Sequence, residues 1–172
     1  MVEKVEVEKE QYKLLHPKVA VLICSKWKKN NVMAAAWITP VSEEPPLVAV
    51  CVWKKGFTAT QILKSREFTI NIPTKKLVRA VLLCGSRSGK DTDKAKLAHL
   101  NYAVAKKVKA PIISDCAGHL ECKVINIIDG GECFIFLGKI VAAYATKKLI
   151  AQKEKILLHF GGKKFGTPRM IN

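Results

Sequence analysis

Six stretches of the chain are rich in apolar and β-branched residues and have the length of a β-strand. They span 19–25, 32–41, 47–53, 67–72, 119–128 and 133–144, and each is bounded by Asn, Pro, Gly or Lys residues. This pattern predicts strands. Between the last two, Asp129-Gly130-Gly131 tolerates positive φ and predicts a hairpin. Because the connections are too short for parallel crossovers, we expect a mainly antiparallel sheet.

Helical patterns are fewer and shorter. A hydroxyl-capped helix is predicted over 58–64, a second over 74–84 and a third over 92–100. Gly85 follows the second helix and is expected to end it as its C′ residue. The stretch 145–160 is ambiguous. Many strands with a few short peripheral helices predict a mainly β fold, a closed or nearly closed antiparallel barrel.

The composition is that of an ordinary globular chain. It has 172 residues, of which 49% are hydrophobic and 26% charged, so we expect one domain over 1–172. No apolar run reaches the roughly 18 residues of a membrane helix. The first ten residues, MVEKVEVEKE, are charged throughout, unlike a signal or transit peptide. We therefore expect a cytoplasmic protein that is not bound to a membrane.

The formal net charge of +16 is large for this size. It is typical of a protein that attracts polyanions or phosphorylated small molecules, and equally of a lysine-rich thermophilic surface. The lysines are spread along the chain, with clusters near 26–29, 54–55, 75–76, 106–109 and 163–164. No ribonucleoprotein-type strand or helix-turn-helix pattern is visible, so we do not expect nucleic acid as a partner.

Cysteine and histidine spacing gives no metal site. The six cysteines contain no Cys-x-x-Cys pair, which argues against zinc ribbons and iron–sulfur clusters, and we expect reduced thiols. His119 and Cys122 are three residues apart on a predicted strand and would point to opposite faces.

No catalytic triad or paired carboxylates can be identified. If the protein is an enzyme, a cofactor supplies the reactive group.

The loop 84–94, CGSRSGKDTDK, resembles a phosphate loop only superficially. Three residues separate Gly85 from Gly89 where the nucleotide-binding P-loop needs four, and Asp91 replaces the Mg²⁺-binding hydroxyl residue. Its amides, hydroxyls and cations suit a single phosphate group, but a solvated loop explains them equally well.

The segment NNVMAAAWITPVSEEPPLVAVCVW, residues 30–53, places three alanines before Trp37. Small side chains on a strand permit close approach of a flat ligand or a second chain, and they also pack beneath a helix. Composition does not decide between these. Pro45-Pro46 ends one strand and directs the next.

Several motifs in order carry a resemblance to a known family. They are Asn31-x-Met33-x-x-x-Trp37-x-x-Pro40-Val41-Ser42-x-x-Pro45-Pro46, Thr58 to Ile62, Glu67-Phe68-x-Ile70-Asn71-Ile72-Pro73, Cys84-Gly85-Ser86-x-Ser88-Gly89 with Asp93-Lys94, Ala110-Pro111-Ile112, Leu120-Glu121-Cys122, Phe136-Leu137-Gly138 and His159-Phe160-Gly161-Gly162. Over about 15–166 the chain resembles the flavin reductase-like, FMN-binding split-barrel family of the flavoredoxin type.

The resemblance implies a Greek-key split β-barrel that forms a homodimer and binds FMN near the interface. By position it implies a cofactor site made of Met33, Ala34, Ala35, Ala36, Trp37, Cys51, Val52, Trp53, Thr58, Ser86, Ser88 and Lys94. Many relatives carry Thr and Ser at the places of Ala34 and Ala36, so here main-chain groups would contact the flavin. Cys51 is a candidate for a chemical role, with packing in a strand as the alternative.

The function implied is an oxidoreductase that passes electrons from NAD(P)H through FMN to flavin, ferric iron or a redox partner. A non-catalytic FMN-binding electron-transfer protein is the alternative. A basic nucleic-acid-binding barrel is a third hypothesis. The sequence does not distinguish the electron donor or acceptor.

Overall fold

The computed structural model describes residues 2–170. The strands there are β1 (Lys18–Val19), β2 (Val21–Lys26), β3 (Asn30–Ala35), β4 (Ile38–Ser42), β5 (Leu47–Trp53), β6 (Glu67–Ile72), β7 (Tyr102–Ala103), β8 (Ile112–Ile113), β9 (Gly118–Gly130), β10 (Cys133–Ala145), β11 (Leu158–His159) and β12 (Phe165–Gly166). The α-helices there are α1 (Phe57–Ser65), α2 (Val78–Ser86), α3 (Lys94–Leu97) and α4 (Lys147–Ile150), and short 3-10 helices cover Gln11–Leu15 and Lys75–Leu77.

Seven strands form one antiparallel sheet in the order β3-β2-β6-β9-β10-β5-β4. The two edge strands, β3 and β4, are consecutive in the chain and are joined only by Ala36 and Trp37. The sheet therefore curls until its edges face each other, which gives a split barrel. Helix α1 contacts β2, β3 and β5, on both sides of the opening. The predicted mainly β, antiparallel barrel fold is confirmed.

Two predicted elements differ from the structure at the opening and beside it. The strand expected over 32–41 is two strands, because the chain crosses from one edge of the sheet to the other at Ala36 and Trp37. Gly85 does not end its helix: α2 continues to Ser86, and the C-cap Arg87 is extended. A Cβ on Gly85 would lie 3.4 Å from the Cβ of Ala34, so this glycine sits where α2 packs on β3.

The later strands agree closely with the prediction, whereas the third helix is shorter than expected. Strands β5 and β6 match their predicted limits, and β9 and β10 form the predicted hairpin, with Gly131 at φ 80° in its turn. The third helix is only Lys94–Leu97, because the chain leaves the helical conformation at Ala98 and His99 has positive φ. Among residues 2–170, no helix is long and apolar enough to cross a membrane.

Strand β2 separates two hydrophobic cores. Val21 and Ile23 point into the barrel, where they join residues such as Phe68 and Phe136. Leu22 and Cys24 point outward and are covered by residues of α2, α3 and β8. Because both faces of β2 are buried, its sequence is a continuous apolar run rather than an alternating one.

Candidate functional site

A cavity of about 310 Å³ lies at the split of the barrel, among β3, the end of β5, the start of α1 and the loop after α2. Its walls include Met33, Ala34, Val52, Trp53, Lys55, Gly56, Phe57, Thr58, Cys84, Gly85, Ser86, Arg87, Ser88, Gly89 and Lys94. Of the described residues that line it, none is acidic and three are basic. The cavity therefore favours an anionic group.

The N-terminus of α1 opens into this cavity. Gly56 is the N-cap and provides no side-chain cap, and Gly56, Phe57 and Thr58 all line the cavity. The first N–H groups of a helix have no partners within the helix, and its dipole places positive potential there. This end of α1 is suited to a phosphate group.

Lys94 is the strongest electrostatic feature of the cavity. Its side chain is buried, and Nζ donates a hydrogen bond to the carbonyl oxygen of Cys84 at 3.2 Å. The ion pairs among residues 2–170 are Lys13–Glu10 and Lys54–Asp129. No carboxylate of these residues is therefore paired with Lys94. Burial lowers the pKa of Lys94. A bound anion would compensate the buried charge.

Thr58 is oriented by a chain of buried polar groups. Asn31 Nδ2 donates to Thr58 Oγ1 at 2.8 Å and to Ser25 Oγ at 3.4 Å, and Ser25 Oγ donates to Gln61 Oε1 at 3.0 Å. Gln61 Nε2 completes the chain by donating to the carbonyl of Lys29. Since Thr58 Oγ1 accepts from Asn31, its own proton is free for donation to an anion in the cavity.

The loop after α2 closes against Asn31. Gly89 is buried, and a Cβ built on it would lie only 1.8 Å from Asn31 Oδ1. That oxygen is buried and accepts no hydrogen bond from the part of the chain that the structure describes. Lys29 Nζ also holds the loop by donating to the Lys90 carbonyl at 2.7 Å. Only glycine permits this close approach, which brings Ser86 and Ser88 to the cavity wall.

A second cavity of about 610 Å³ adjoins the first, and both are lined by Ala34, Gly85, Ser86 and Arg87. Its floor contains Ala20, Ala35 and Ala36, and its other walls come from Val81, Leu82, Leu83, His159, Gly162, Lys163 and Phe165. Ala34 therefore both packs beneath α2 and lines the two cavities, so for this residue the two interpretations of the sequence are compatible. The walls are mostly apolar and suit a flat ring system.

The predicted site residues divide into three groups. Met33, Ala34, Val52, Trp53, Thr58, Ser86, Ser88 and Lys94 line the first cavity, and Ala34, Ala35, Ala36 and Ser86 line the second. Trp37 and Cys51 line neither. Trp37 is 43% exposed and contacts the ring of Tyr12, with Lys18 Nζ 5.7 Å from its centroid.

Cys51 lies on the outward face of β5, because alternate residues of that strand, Val50 and Val52, point into the barrel. On the same face, Cys133 stands opposite Trp53, and Ile135 stands opposite Cys51. Burial, followed by the nearby Cys133, raises the pKa of the Cys51 thiol. The thiol is therefore protonated at neutral pH, which disfavours nucleophilic chemistry.

Sequence reasoning missed several residues of the site, notably Asn31, Gly56, Arg87 and Gly89. Asn31 belongs to the motif that carried the resemblance, yet its role depends on contacts with Thr58 and Gly89 that are distant in sequence. The glycines act through main-chain groups, which give no signal in side-chain chemistry.

The model of the flavin reductase like domain matches residues 13–168. The chain belongs to the flavin reductase-like family. An uncharacterised protein of Archaeoglobus fulgidus is 35% identical over 127 residues, which cover 74% of this chain and 72% of that protein. An NADH-dependent FAD reductase of Streptomyces globisporus is 26% identical, over 64% of this chain and 60% of its own.

Solved structures show the same fold. Flavoredoxin from Methanosarcina acetivorans superposes with a TM-score of 0.86 at 26% identity, over 99% of this chain and 94% of that one. The family predicted from the sequence motifs is thus confirmed, and this flavin reductase-like chain shares the split-barrel architecture of flavoredoxin.

Proposed function

We propose that this protein binds FMN and acts as an NAD(P)H-dependent reductase of the flavin reductase type. The observation that carries the proposal is the buried Lys94 ammonium, which faces a cavity with no acidic residue among the described residues of its walls. A terminal phosphate supplies the missing negative charge. The adjoining apolar cavity offers room for a ring system attached to that phosphate.

The residues fit FMN in two parts. Thr58, Lys94, the Ser88 hydroxyl and the first N–H groups of α1 would hold the phosphate. The Ser86 hydroxyl donates to the Leu83 carbonyl at 3.2 Å and would have to turn from it to join them. Ala34, Ala35 and Ala36 would admit the isoalloxazine beside α2. Since β3 is an edge strand, half of its main-chain N–H and C=O groups point away from β2 and are free to contact a flat polar ring. This compensates for the hydroxyl side chains that Ala34 and Ala36 lack.

Bound FMN supplies reversible two-electron transfer. The chain contributes position, exclusion of water and charge: the apolar walls from α2 shield one side of the second cavity, and Arg87 and Lys163 add positive potential beside it. Positive groups near a flavin favour its reduced, anionic form. The sequence has no dinucleotide-binding fingerprint, so the nicotinamide is expected to stack transiently on the flavin.

The NADH-dependent FAD reductase relative supports a reductase, with free flavin, ferric iron or a redox protein as the acceptor. The similarity to flavoredoxin keeps one alternative, a non-catalytic electron-transfer protein that binds FMN without using a hydride donor.

Two measurements test these functions. Titration with FMN and riboflavin, followed by the visible flavin spectrum, should give binding of both with a clear preference for FMN. A protein that binds neither flavin contradicts both functions. Anaerobic stopped-flow mixing of the FMN-loaded protein with NADH and with NADPH should bleach the flavin band. If both leave the flavin oxidised, the reductase is wrong and the electron carrier stands.

The proposal includes a homodimer. Leu47, Ala49, Cys51 and Trp53 of β5 share the outward face of the sheet with Cys133, Ile135 and Leu137 of β10. This apolar face continues to Ile128 of β9, which pairs with Ile135 and is 46% exposed, while Trp53 is 55% exposed. A second copy of the chain would bury this surface next to the first cavity, which Trp53 also lines.

A further inference from the structure

A third cavity of about 610 Å³ shares no lining residue with the candidate flavin site. Its walls are Lys26, Trp27, Asn30, Ser65, Glu67, Tyr102, Ala103, Val104, Ala105, Val108, Lys109 and Pro111. They come mainly from two segments far apart in sequence, residues 26–30 around the β2–β3 turn and residues 102–111, which begin with β7. The proposed flavin chemistry makes no use of this cavity.

The fold brings two basic segments together around it. The turn between β2 and β3 reads KWKKN over 26–30, and the loop 104–109 reads VAKKVK. Lys26 and Lys109 line the cavity and are exposed, and neither is among the ion pairs of residues 2–170. Two lysines that are far apart in sequence therefore meet at one surface, which attracts anions.

The nearby carboxylates do not cancel this charge by pairing with lysine side chains. Glu67 is the acidic residue of the cavity wall, and its Oε2 accepts the main-chain N–H of Lys109 at 2.8 Å. Glu121 is fully buried and accepts the main-chain N–H groups of Lys106, Lys107 and Val108. Both carboxylates fix the loop by its backbone, and among residues 2–170 neither forms an ion pair with Lys26 or Lys109.

Trp27 supplies a stacking surface at the same place. It lines the cavity and is 55% exposed, although an indole of this size is usually covered. An exposed aromatic ring flanked by lysines is the arrangement that stacks on a nucleobase while the lysines contact its phosphate. An acidic peptide would use the lysines but would leave the indole without a planar partner.

We propose that this third cavity binds a nucleotide unit, with the base stacked on Trp27 and the phosphate held by Lys26 and Lys109. Such a unit has two possible sources, a free nucleotide or an unstacked residue of a single-stranded nucleic acid. The sequence alone gave no reason to expect nucleic acid, because its lysines are scattered and it lacks a recognisable motif.

Isothermal titration of FMN-loaded, desalted protein with adenosine 5′-monophosphate and with a short oligothymidylate tests the proposal. Preloading keeps the flavin site filled, and the visible spectrum reports that it stays filled. We expect at least one of the two probes to bind. Trp27→Ala and the pair Lys26→Gln/Lys109→Gln should each weaken that binding about tenfold. All three positions are exposed, so the variants should fold.

The matched control is Lys75→Gln/Lys76→Gln, which removes the same charge from another part of the surface. Tight oligothymidylate binding that falls steeply with salt identifies a nucleic acid as the source, and binding of the mononucleotide at equal or higher affinity identifies a free nucleotide. The proposal is overturned if neither probe binds. It is also overturned if Trp27→Ala has no effect, or if the control pair weakens binding as much as the cavity pair.

Discussion

Asn31 donates a hydrogen bond from Nδ2 to Thr58 Oγ1 at 2.8 Å, while its Oδ1 faces Gly89. One buried amide thus lies between the N-terminus of α1 and the loop after α2, the two parts of the chain that would hold a phosphate. Because the Asn31 amide donates to Thr58 Oγ1, the Thr58 hydroxyl accepts this bond and keeps its own proton for donation to an anion.

Replacing Thr58 with Val should therefore weaken FMN binding selectively. The side chains are similar in size, but the variant loses a donor to a charged group, which is worth about 1.5–3 kcal/mol, or roughly ten- to hundredfold in affinity. Riboflavin has no phosphate, so its affinity should hardly change. Fluorescence titration with both flavins measures this, with Thr60→Val, an exposed position on α1, as the control. An equal loss for both flavins would contradict the role given to Thr58.

Alanine substitutions at two glycines, one in α2 and one in the loop after it, should change thermal stability in opposite directions. In Gly89→Ala the new Cβ would collide with Asn31 Oδ1, so the loop must move and both thermal stability and FMN affinity should fall. In Gly85→Ala the new Cβ makes an ordinary contact of 3.4 Å with Ala34, and replacing a helical glycine should stabilise the protein by up to about 1 kcal/mol. Thermal melts of the flavin-free variants compare the two substitutions. A change in melting temperature of the same sign for both would show that Asn31 does not confine the loop.

Removing the charge of Lys94 should raise thermal stability and lower FMN affinity. Lys94→Met relieves a buried, unneutralised ammonium, so the flavin-free protein should melt at a higher temperature while FMN affinity drops at least about tenfold. Lys96→Met, on the exposed side of α3, is the matched control. A variant that loses stability and retains FMN affinity would show that Lys94 does not face the phosphate.

The lowered pKa of Lys94 also predicts a pH dependence. FMN binding needs the protonated side chain, so affinity should decline as pH rises, at a lower pH than for an ordinary lysine. Lys94→Arg keeps its charge and should flatten this decline. In the flavin-free protein, the pKa of Lys94 is lower in the folded chain than in the unfolded chain, so the unfolded chain binds this proton more tightly. The contribution of Lys94 therefore raises the free energy of unfolding as pH increases from the lowered pKa to the usual lysine value of about 10.4. Binding titrations and melts across the alkaline range measure both trends.

The outward sheet face predicts a self-association that one charge should disrupt. Ile128→Glu places a carboxylate on the apolar face shared by β9, β10 and β5, and it should convert a dimer into monomers. Leu97→Glu introduces the same change at a side chain of similar exposure on α3, 54% against 46%, and should leave the assembly unchanged. Sedimentation velocity gives the mass of each. A monomeric parent protein would contradict the homodimer.

Much of the fold was predictable because local patterns agreed with it. The β9–β10 hairpin follows from its Asp-Gly-Gly turn, and β5 and β6 follow from apolar runs with clear ends. Motifs in order along the chain indicated the family, and eight of the twelve predicted site residues line the first cavity. These features depend on residues close in sequence, whose identities directly constrain the backbone.

Other features depended on contacts between distant segments. The chain breaks between β3 and β4 because the barrel is split there, although residues 32–41 look like one strand. Asn31 joins the site through Thr58, Cys51 lies on the outward face of β5 and lines neither flavin-site cavity, and the lysines at 26 and 109 meet at a third cavity. The sequence by itself determined the strands, their turns and the family. Only the tertiary structure decided which polar groups face a cavity, since the direction of a side chain is set by the packing of both faces of the sheet.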